Sequence, residues 1–242
     1  MSAFSLEDRT ALVTGANTGI GQAIAVAMDR AGAEVICAGR SSCAETLAMM
    51  RSGSELRLDF ADPMAARDAF ADAPVDILVN NAGIIRRNDA TEFTEEDWDA
   101  VMDVNLKAVF FTCQAFARAL LARGAGGSIV NIASLLSFQG GIRIPSYTAS
   151  KHGVAGLTKL LCNEWAAQGI NVNAIAPGYI ETNNTQALRA DPDRNKAILE
   201  RIPAGRWGQP DDIAEAAVFL SSRAAKYING AVLNIDGGWL AR

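Results

Sequence analysis

The sequence predicts an α/β fold built on one doubly wound parallel sheet, and three observations carry that expectation. Short apolar runs alternate with helical patterns from one end to the other. A glycine-rich turn joins the first apolar run to the first helical pattern. No linker, repeat or low-complexity stretch divides the 242 residues. Runs that are apolar throughout suit strands buried on both faces, and their alternation with helices implies parallel βαβ units. The expectation is a single domain over residues 1–242, with seven strands and helices on both faces.

In chain order, strands are expected at residues 11–13, 34–38, 56–58, 76–80, 128–133, 171–176 and 232–235. Helices are expected at 20–31, 45–50, 64–70, 95–123, 147–168 and 211–223. The helix from residue 95 follows Thr94-Glu95-Glu96-Asp97, close to a capping box, and the glycines from Gly124 to Gly127 end it. Pro145 opens the next, and Val154, Leu157, Leu161 and Trp165 continue its period to Gly169. The helices between Arg40 and Pro74 are short for crossovers, which predicts a thinly covered half of the sheet. Residues 177–206 are rich in Asn, Arg and Asp with weak periodicity, and a polar stretch of that length is expected to be a substrate lid.

Composition narrows the function. The residues are 50% hydrophobic and 20% charged, as in an ordinary globular protein. A net charge of −5, without a Lys/Arg run, argues against a nucleic-acid or anionic-membrane partner. No uninterrupted apolar stretch reaches membrane-spanning length, and the N-terminus lacks a signal-peptide pattern. Cys37, Cys43, Cys113 and Cys162 lack C-x-x-C spacing and read as reduced, mostly buried residues of a cytoplasmic protein, with no metal site expected. His152 is the only histidine and reads as structural, which removes Ser-His-Asp hydrolysis.

Thr14-Gly15-Ala16-Asn17-Thr18-Gly19-Ile20-Gly21 lies between the first strand and the first helix. Glycines allow a tight turn and close backbone approach, and the free N–H groups of the helix start suit a pyrophosphate. No Gly-Lys-Ser/Thr follows, so a phosphate-loop NTPase is excluded. Asp59-Phe60 ends the third strand and Asn80-Asn81-Ala82-Gly83 the fourth, positions where open α/β sheets bind ligands. The second strand ends at Arg40 rather than at an acid. Arg40 could pair with the 2′-phosphate of NADP or stack on an adenine. Tyr147 and Lys151, four apart on one helix, share a face, and an ammonium near a phenol favours the phenolate. They form a candidate acid/base pair.

With these motifs in this order, the chain resembles the classical short-chain dehydrogenases/reductases over essentially its whole length. The resemblance also includes Asn105, Ser134, Pro177-Gly178 and Asp236-Gly237-Gly238. It implies a Rossmann-like fold and a catalytic tetrad of Asn105, Ser134, Tyr147 and Lys151. Tyr147 would exchange the proton and Ser134 would hydrogen-bond the substrate oxygen. Lys151 would lower the Tyr147 pKa and bind the nicotinamide ribose, and Asn105 would hold a water leading to solvent. It also implies NAD or NADP contacts from Gly15, Asn17, Thr18, Ile20, Asp59, Phe60, Asn81, Ala82, Gly83, Pro177, Gly178, Ile180 and Thr182.

The segments 82–87, 137–143, 182–185, 202–207 and 236–242 are similar to a subfamily acting on sugar acids of the 2-deoxy-D-gluconate and 2-dehydro-3-deoxy-D-gluconate type. Its members usually use NAD, against the hint from Arg40. Arginine is the natural partner of a carboxylate, so Arg143 or Arg87 is expected to grip it while Gln139, Asn183 and Asn184 read hydroxyls. Surface or subunit contacts are the alternative for those arginines. Other readings are a 3-oxoacyl thioester reductase, a polyol or gluconate dehydrogenase, or a nucleotide-sensing protein. The first would need an apolar channel, and the last would predict loss of the tetrad. Relatives are commonly tetramers, and the apolar tail at Trp239 is expected to reach a neighbouring subunit.

Overall fold

The computed structural model describes residues 2–70 and 74–241. All seven expected strands form, as β1 (Thr10–Thr14), β2 (Glu34–Gly39), β3 (Ser54–Arg57), β4 (Ile77–Asn80), β5 (Gly127–Ile132), β6 (Ile170–Pro177) and β7 (Val232–Ile235). They make one sheet in the order β3-β2-β1-β4-β5-β6-β7, parallel throughout. Val13 of β1 aligns with Cys37 on one side and Val79 on the other. The chain order reverses between β1 and β4, the kind of switch point at which such sheets bind ligands.

The strands read as continuous apolar runs because each face has its own core. On one face Val13, Val35, Cys37, Ile77 and Val79 are buried with Ile24, Met28, Ile213 and Ala217 of helices α1 (Gly19–Arg30) and α9 (Pro210–Ser221). On the other, Leu12, Leu78, Ile129 and Val172 meet Ala66 of α3 (Pro63–Ala69), Phe116 and Leu120 of α5 (Ala108–Ala122), and Val154 and Leu161 of α6 (Pro145–Trp165). Burying each Leu or Ile contributes roughly 1.5–3 kcal/mol. Among the described residues between Arg40 and Pro74, only α2 (Ala44–Ala48) and α3 cover the sheet, and β3 is an exposed edge.

The helix expected at 95–123 is interrupted. It runs as α4 (Glu95–Met102), a π-turn (Asp103–Lys107) and α5. The Thr94 side chain accepts from Asp97 N at 3.2 Å, half of a capping box. By length and hydropathy Glu95–Ala122 would pass for a membrane-crossing helix, and 56% of its most apolar window is buried in the fold. That explains its composition as a core helix.

The stretch expected to be an irregular lid is largely helical. After β6 come α7 (Gln186–Ala190) and α8 (Pro192–Arg201). Asp191 caps α8, its carboxylate accepting from Asp193 N and Arg194 N, and Pro192 opens it. Leu135, Ile198, Ile202, Trp207 and Trp239 form a third hydrophobic cluster, with Tyr179, Leu188, Leu199 and Leu240 against it. Of the tail expected to reach a neighbouring subunit, Trp239 packs inward. Trp239 is buried in its own chain, its ring 4.7 Å from that of Tyr179. Arg242 lies outside the described residues.

Candidate active site

The C-terminal ends of β1, β4, β5 and β6 deliver Gly15, Asn81, Ser134 and Gly178 to one edge of the sheet. Thr14 joins the first two. Its buried hydroxyl accepts from Asn81 N and Ala82 N, both at 2.9 Å, and the Asn81 amide donates back to the carbonyls of Thr14 and Gly15. Asn80 points the other way, into a buried chain in which it donates to Asn131, which donates to Thr158 of α6. The side chains of the Asn-Asn pair are thus scaffold, and the backbone of Asn81 to Gly83 is left facing the cleft.

Across from it lies the turn before α1. Gly15 has φ 65°, in the left-handed region, and a Cβ there would come within 3.0 Å of Ala82 Cα. A Cβ on Gly21 would collide with the Gly15 carbonyl. Thr18, at the start of α1, makes no side-chain capping bond, so the first N–H groups of the helix keep their donors for a ligand. Gly15, Asn17, Thr18, Ile20, Asn81, Ala82, Gly83 and Thr182 line one cavity of about 220 Å³ together with Asn183 and Asn184. An uncapped helix start under a glycine cradle fits a pyrophosphate.

Not all expected cofactor residues line this cavity. Phe60 is buried and stacks on Phe70, with ring centroids 6.5 Å apart, so its side chain supports the core rather than a ligand. Asp59 is exposed and its carboxylate accepts from Ala61 N at 3.0 Å. Ile180 is 4% exposed and packs with the α1/α9 core, which leaves only its backbone for a cofactor. Arg40 is exposed at the end of β2.

Tyr147 and Lys151 sit on α6 as expected, with Lys151 Nζ 5.6 Å from the Tyr147 ring centroid. Lys151 is buried and donates to the Ile132 carbonyl at 2.6 Å. Burial pulls its pKa down to about 8. Burial pushes the Tyr147 phenol above its ordinary value, while the Ser134 hydroxyl bonded to it and the Arg87 guanidinium pull it back. The expected net lowering of Tyr147 is therefore not found in this state, because the loss of water around the phenol outweighs its partners. Ser134 caps the short turn Leu135–Ser137 and accepts from Leu136 N at 3.2 Å.

Asn105 lies in the π-turn. Its amide bonds Ile84 in both directions, accepting from N and donating to O at 2.9 Å each, and reaches Ser150 Oγ at 3.5 Å. The amide is thus committed to holding the loop after Gly83.

Tyr147 and Ser134 open into a cavity of about 470 Å³, also lined by Arg87, Gln139, Pro177, Gly178, Tyr179, Asn184, Arg194, Arg201 and Trp239. Arg143, expected to line it, does not. Its backbone has φ 63°, and its guanidinium turns away to pair with Asp89 at 3.0 Å. Asn183 lines the cofactor cavity instead, whereas Asn184 borders both. Sequence reasoning missed Tyr179, Arg194, Arg201 and Trp239. The seven-residue spacing of Arg194 and Arg201, two helical turns, was the available signal.

Comparison with known proteins agrees with this geometry. The family model described as enoyl-(acyl carrier protein) reductase matches residues 15–240. A solved structure described as a candidate 2-deoxy-D-gluconate 3-dehydrogenase from Agrobacterium tumefaciens, with bound NADP, is 73% identical. It has a TM-score of 0.99, and the match covers 100% of both chains. The chain belongs to the short-chain dehydrogenase/reductase family. Among curated family members, the 2-dehydro-3-deoxy-D-gluconate 5-dehydrogenase of Bacillus subtilis is 56% identical over 99% of this chain and 98% of its own length. The protein of that name from Dickeya dadantii is 54% identical over 100% and 99%. As a short-chain dehydrogenase/reductase, the protein has an oxidoreductase fold and carries all four residues of the expected tetrad.

Proposed function

We propose that this protein is an NADP-dependent dehydrogenase that oxidises a secondary hydroxyl of a six-carbon sugar acid, of the 2-deoxy-D-gluconate or 2-dehydro-3-deoxy-D-gluconate type. The observation that carries the reading is the cavity over Tyr147 and Ser134. Three arginines line it and, among the described residues, no acidic residue does, in a chain of net charge −5. A hydroxy acid matches both the acid/base pair and the cationic wall. The names of the relatives point to the same substrates.

NADP would lie with its pyrophosphate over the Gly15–Gly21 turn and would supply the hydride acceptor when bound. NADP is preferred to NAD because no acid follows β2, Arg40 stands there instead, and the 73% identical structure holds NADP. Tyr147 takes the proton from the substrate hydroxyl, and Ser134 holds that oxygen in line. Lys151 places a positive charge behind Tyr147, anchored by the Ile132 carbonyl. Asn105 fixes the Ile84 backbone beside them. Because burial favours the neutral phenol, Tyr147 is a ready proton donor at neutral pH, which serves ketone reduction, and oxidation is favoured by alkali.

The protein acts as one domain spanning residues 1–242, in the cytoplasm, where free cysteines such as the buried Cys37, Cys43 and Cys113 are at home. It works as a homotetramer without membrane or nucleic-acid partners. Trp98 of α4, Leu121 of α5 and Leu160 of α6 are exposed apolar residues suited to contacts between copies.

The test is an initial-rate screen of 2-deoxy-D-gluconate, 2-dehydro-3-deoxy-D-gluconate and D-gluconate with NAD and NADP. Turnover of at least one acid, faster with NADP and lost on Tyr147→Phe, is expected. No turnover with any of the three defeats the reading.

A further inference from the structure

Several apolar side chains around the active-site cavity are already packed in the fold. Leu135, Ile198 and Trp239 belong to the third hydrophobic cluster, and Leu188 packs against it. Ile85, Leu136 and Ile144 differ. Each lines the cavity and is only half-buried, and among the described residues none of the three joins a hydrophobic cluster. Ile142 also lines the cavity but is 80% exposed and faces solvent. Apolar surface held at the wall of a site that also carries arginines gains by being covered with a ligand that is itself apolar at that point.

Leu136 and Ile144 flank the reacting groups. Leu136 N donates to the Ser134 hydroxyl at 3.2 Å. Ile144 stands three residues before Tyr147, at the start of α6, and its carbonyl accepts from Thr148 N at 3.0 Å. The backbone of each is thus fixed relative to Ser134 and Tyr147. Their side chains converge. A Cβ on Gly141 would lie 2.6 Å from Ile144 Cδ1 and 3.1 Å from Leu136 Cδ1, so the glycine lets the two close up into one patch. Ile85 follows Ile84, whose backbone the Asn105 amide holds from both sides.

We infer that Leu136 and Ile144, with Ile85 in the same cavity, seat a CH2 of the substrate chain, one or two bonds from the carbon whose hydroxyl Tyr147 and Ser134 hold. This rests on the sugar-acid reading above and narrows it to acids with a deoxygenated carbon. A hydroxyl placed against the patch would lose its water, and the side chains there offer it only methyl and methylene groups. Tyr147, Ser134 and Lys151 act on any secondary alcohol brought to them. The patch chooses among sugar acids by refusing the fully hydroxylated one.

The test compares 2-deoxy-D-gluconate with D-gluconate, which differ by one hydroxyl. Initial rates with NADP are measured on wild type, Leu136→Asn, Ile144→Thr and the conservative Ile144→Val. An apolar pocket rejects an added hydroxyl by about 10- to 100-fold, so wild type should favour the deoxy acid in kcat/KM by that factor. The ratio should fall at least about fivefold in Leu136→Asn and in Ile144→Thr. In Ile144→Val it should stay within about twofold. NADP binding, followed by nucleotide fluorescence, should be unchanged and checks that each variant is folded; where a polar variant loses it, the wild-type ratio decides. Equal turnover of the two acids by wild type, or a preference for gluconate, overturns the inference and leaves the sugar-acid reading standing. A ratio unmoved in both folded polar variants also overturns it. If wild type turns over neither acid, the reading of the reaction fails, and calorimetric titration of the NADP-loaded protein decides the seat. Tighter binding of the deoxy acid then keeps it, and equal or absent binding overturns it.

Discussion

Lys151 offers a sharp test of how the site is built, because one side chain is at once the least comfortable in the fold and the most needed. It is 5% exposed, and its head group donates to the Ile132 carbonyl. Its pKa falls from an ordinary 10.5 to about 8 through burial. The unfolded chain therefore binds more protons than the folded one between those values, and stability gains with rising pH across that window. At about 1.4 kcal/mol per pH unit, the drop corresponds to about 3 kcal/mol. Lys151→Met keeps the length and removes the charge.

The assay is urea unfolding of wild type and Lys151→Met from pH 7 to 11. The wild-type-minus-variant difference should rise by about 3 kcal/mol in favour of wild type between pH 8 and pH 10.5, and be flat below pH 8. Cys37 and Cys113, whose pKa values are raised by burial, titrate in both proteins and largely cancel in the difference. At pH 7 the variant should be at least as stable as wild type while losing nearly all turnover. A difference that stays flat from pH 8 to 10.5 would refute the claim that Lys151 is held charged against its environment.

Other consequences are quicker to check. Arg87→Ala removes a charge that pulls the Tyr147 pKa down, so the rising limb of kcat/KM against pH for oxidation should move to higher pH; an unmoved limb contradicts that role. Arg143→Ala should leave KM for the sugar acid within about twofold, since its guanidinium faces Asp89; a tenfold rise would return it to the substrate site. Gly21→Ala places a methyl against the Gly15 carbonyl and the Asn81 amide, and should weaken NADP binding by at least about tenfold even where the fold survives, as followed by fluorescence titration.

The sheet was legible because its inner strands must satisfy two cores. No other element produces short runs such as Ala11-Leu12-Val13 or Ile77-Leu78-Val79 at regular intervals. The cofactor cradle was legible for a similar reason, since Gly15 and Gly21 are demanded by backbone proximity that leaves no room for a side chain. The lid helices were not. In α8 only Ile198 is fully buried among charged neighbours, and its clearest mark is the Asp191-Pro192 start rather than any period. Nor was the π-turn that carries Asn105, which has no residue signature. The misplacement of Arg143 follows from trusting nearness in sequence. Four residues before Tyr147 would share its face on a helix, but α6 begins at Pro145 and Arg143 lies in a left-handed turn outside it. Arg194 and Arg201 come near Tyr179 only through the fold of the lid.

The third hydrophobic cluster has a consequence for how such enzymes diversify. Ile198, Ile202, Trp207 and Trp239 pack on one another, apart from the two cores that flank the sheet. A substitution on the cavity face of α8 is absorbed within that small cluster, so it draws little on the stability held by the sheet. Descendants of one ancestor can then acquire new polyhydroxy substrates by altering a few lid residues, while the hydride and proton machinery is inherited intact.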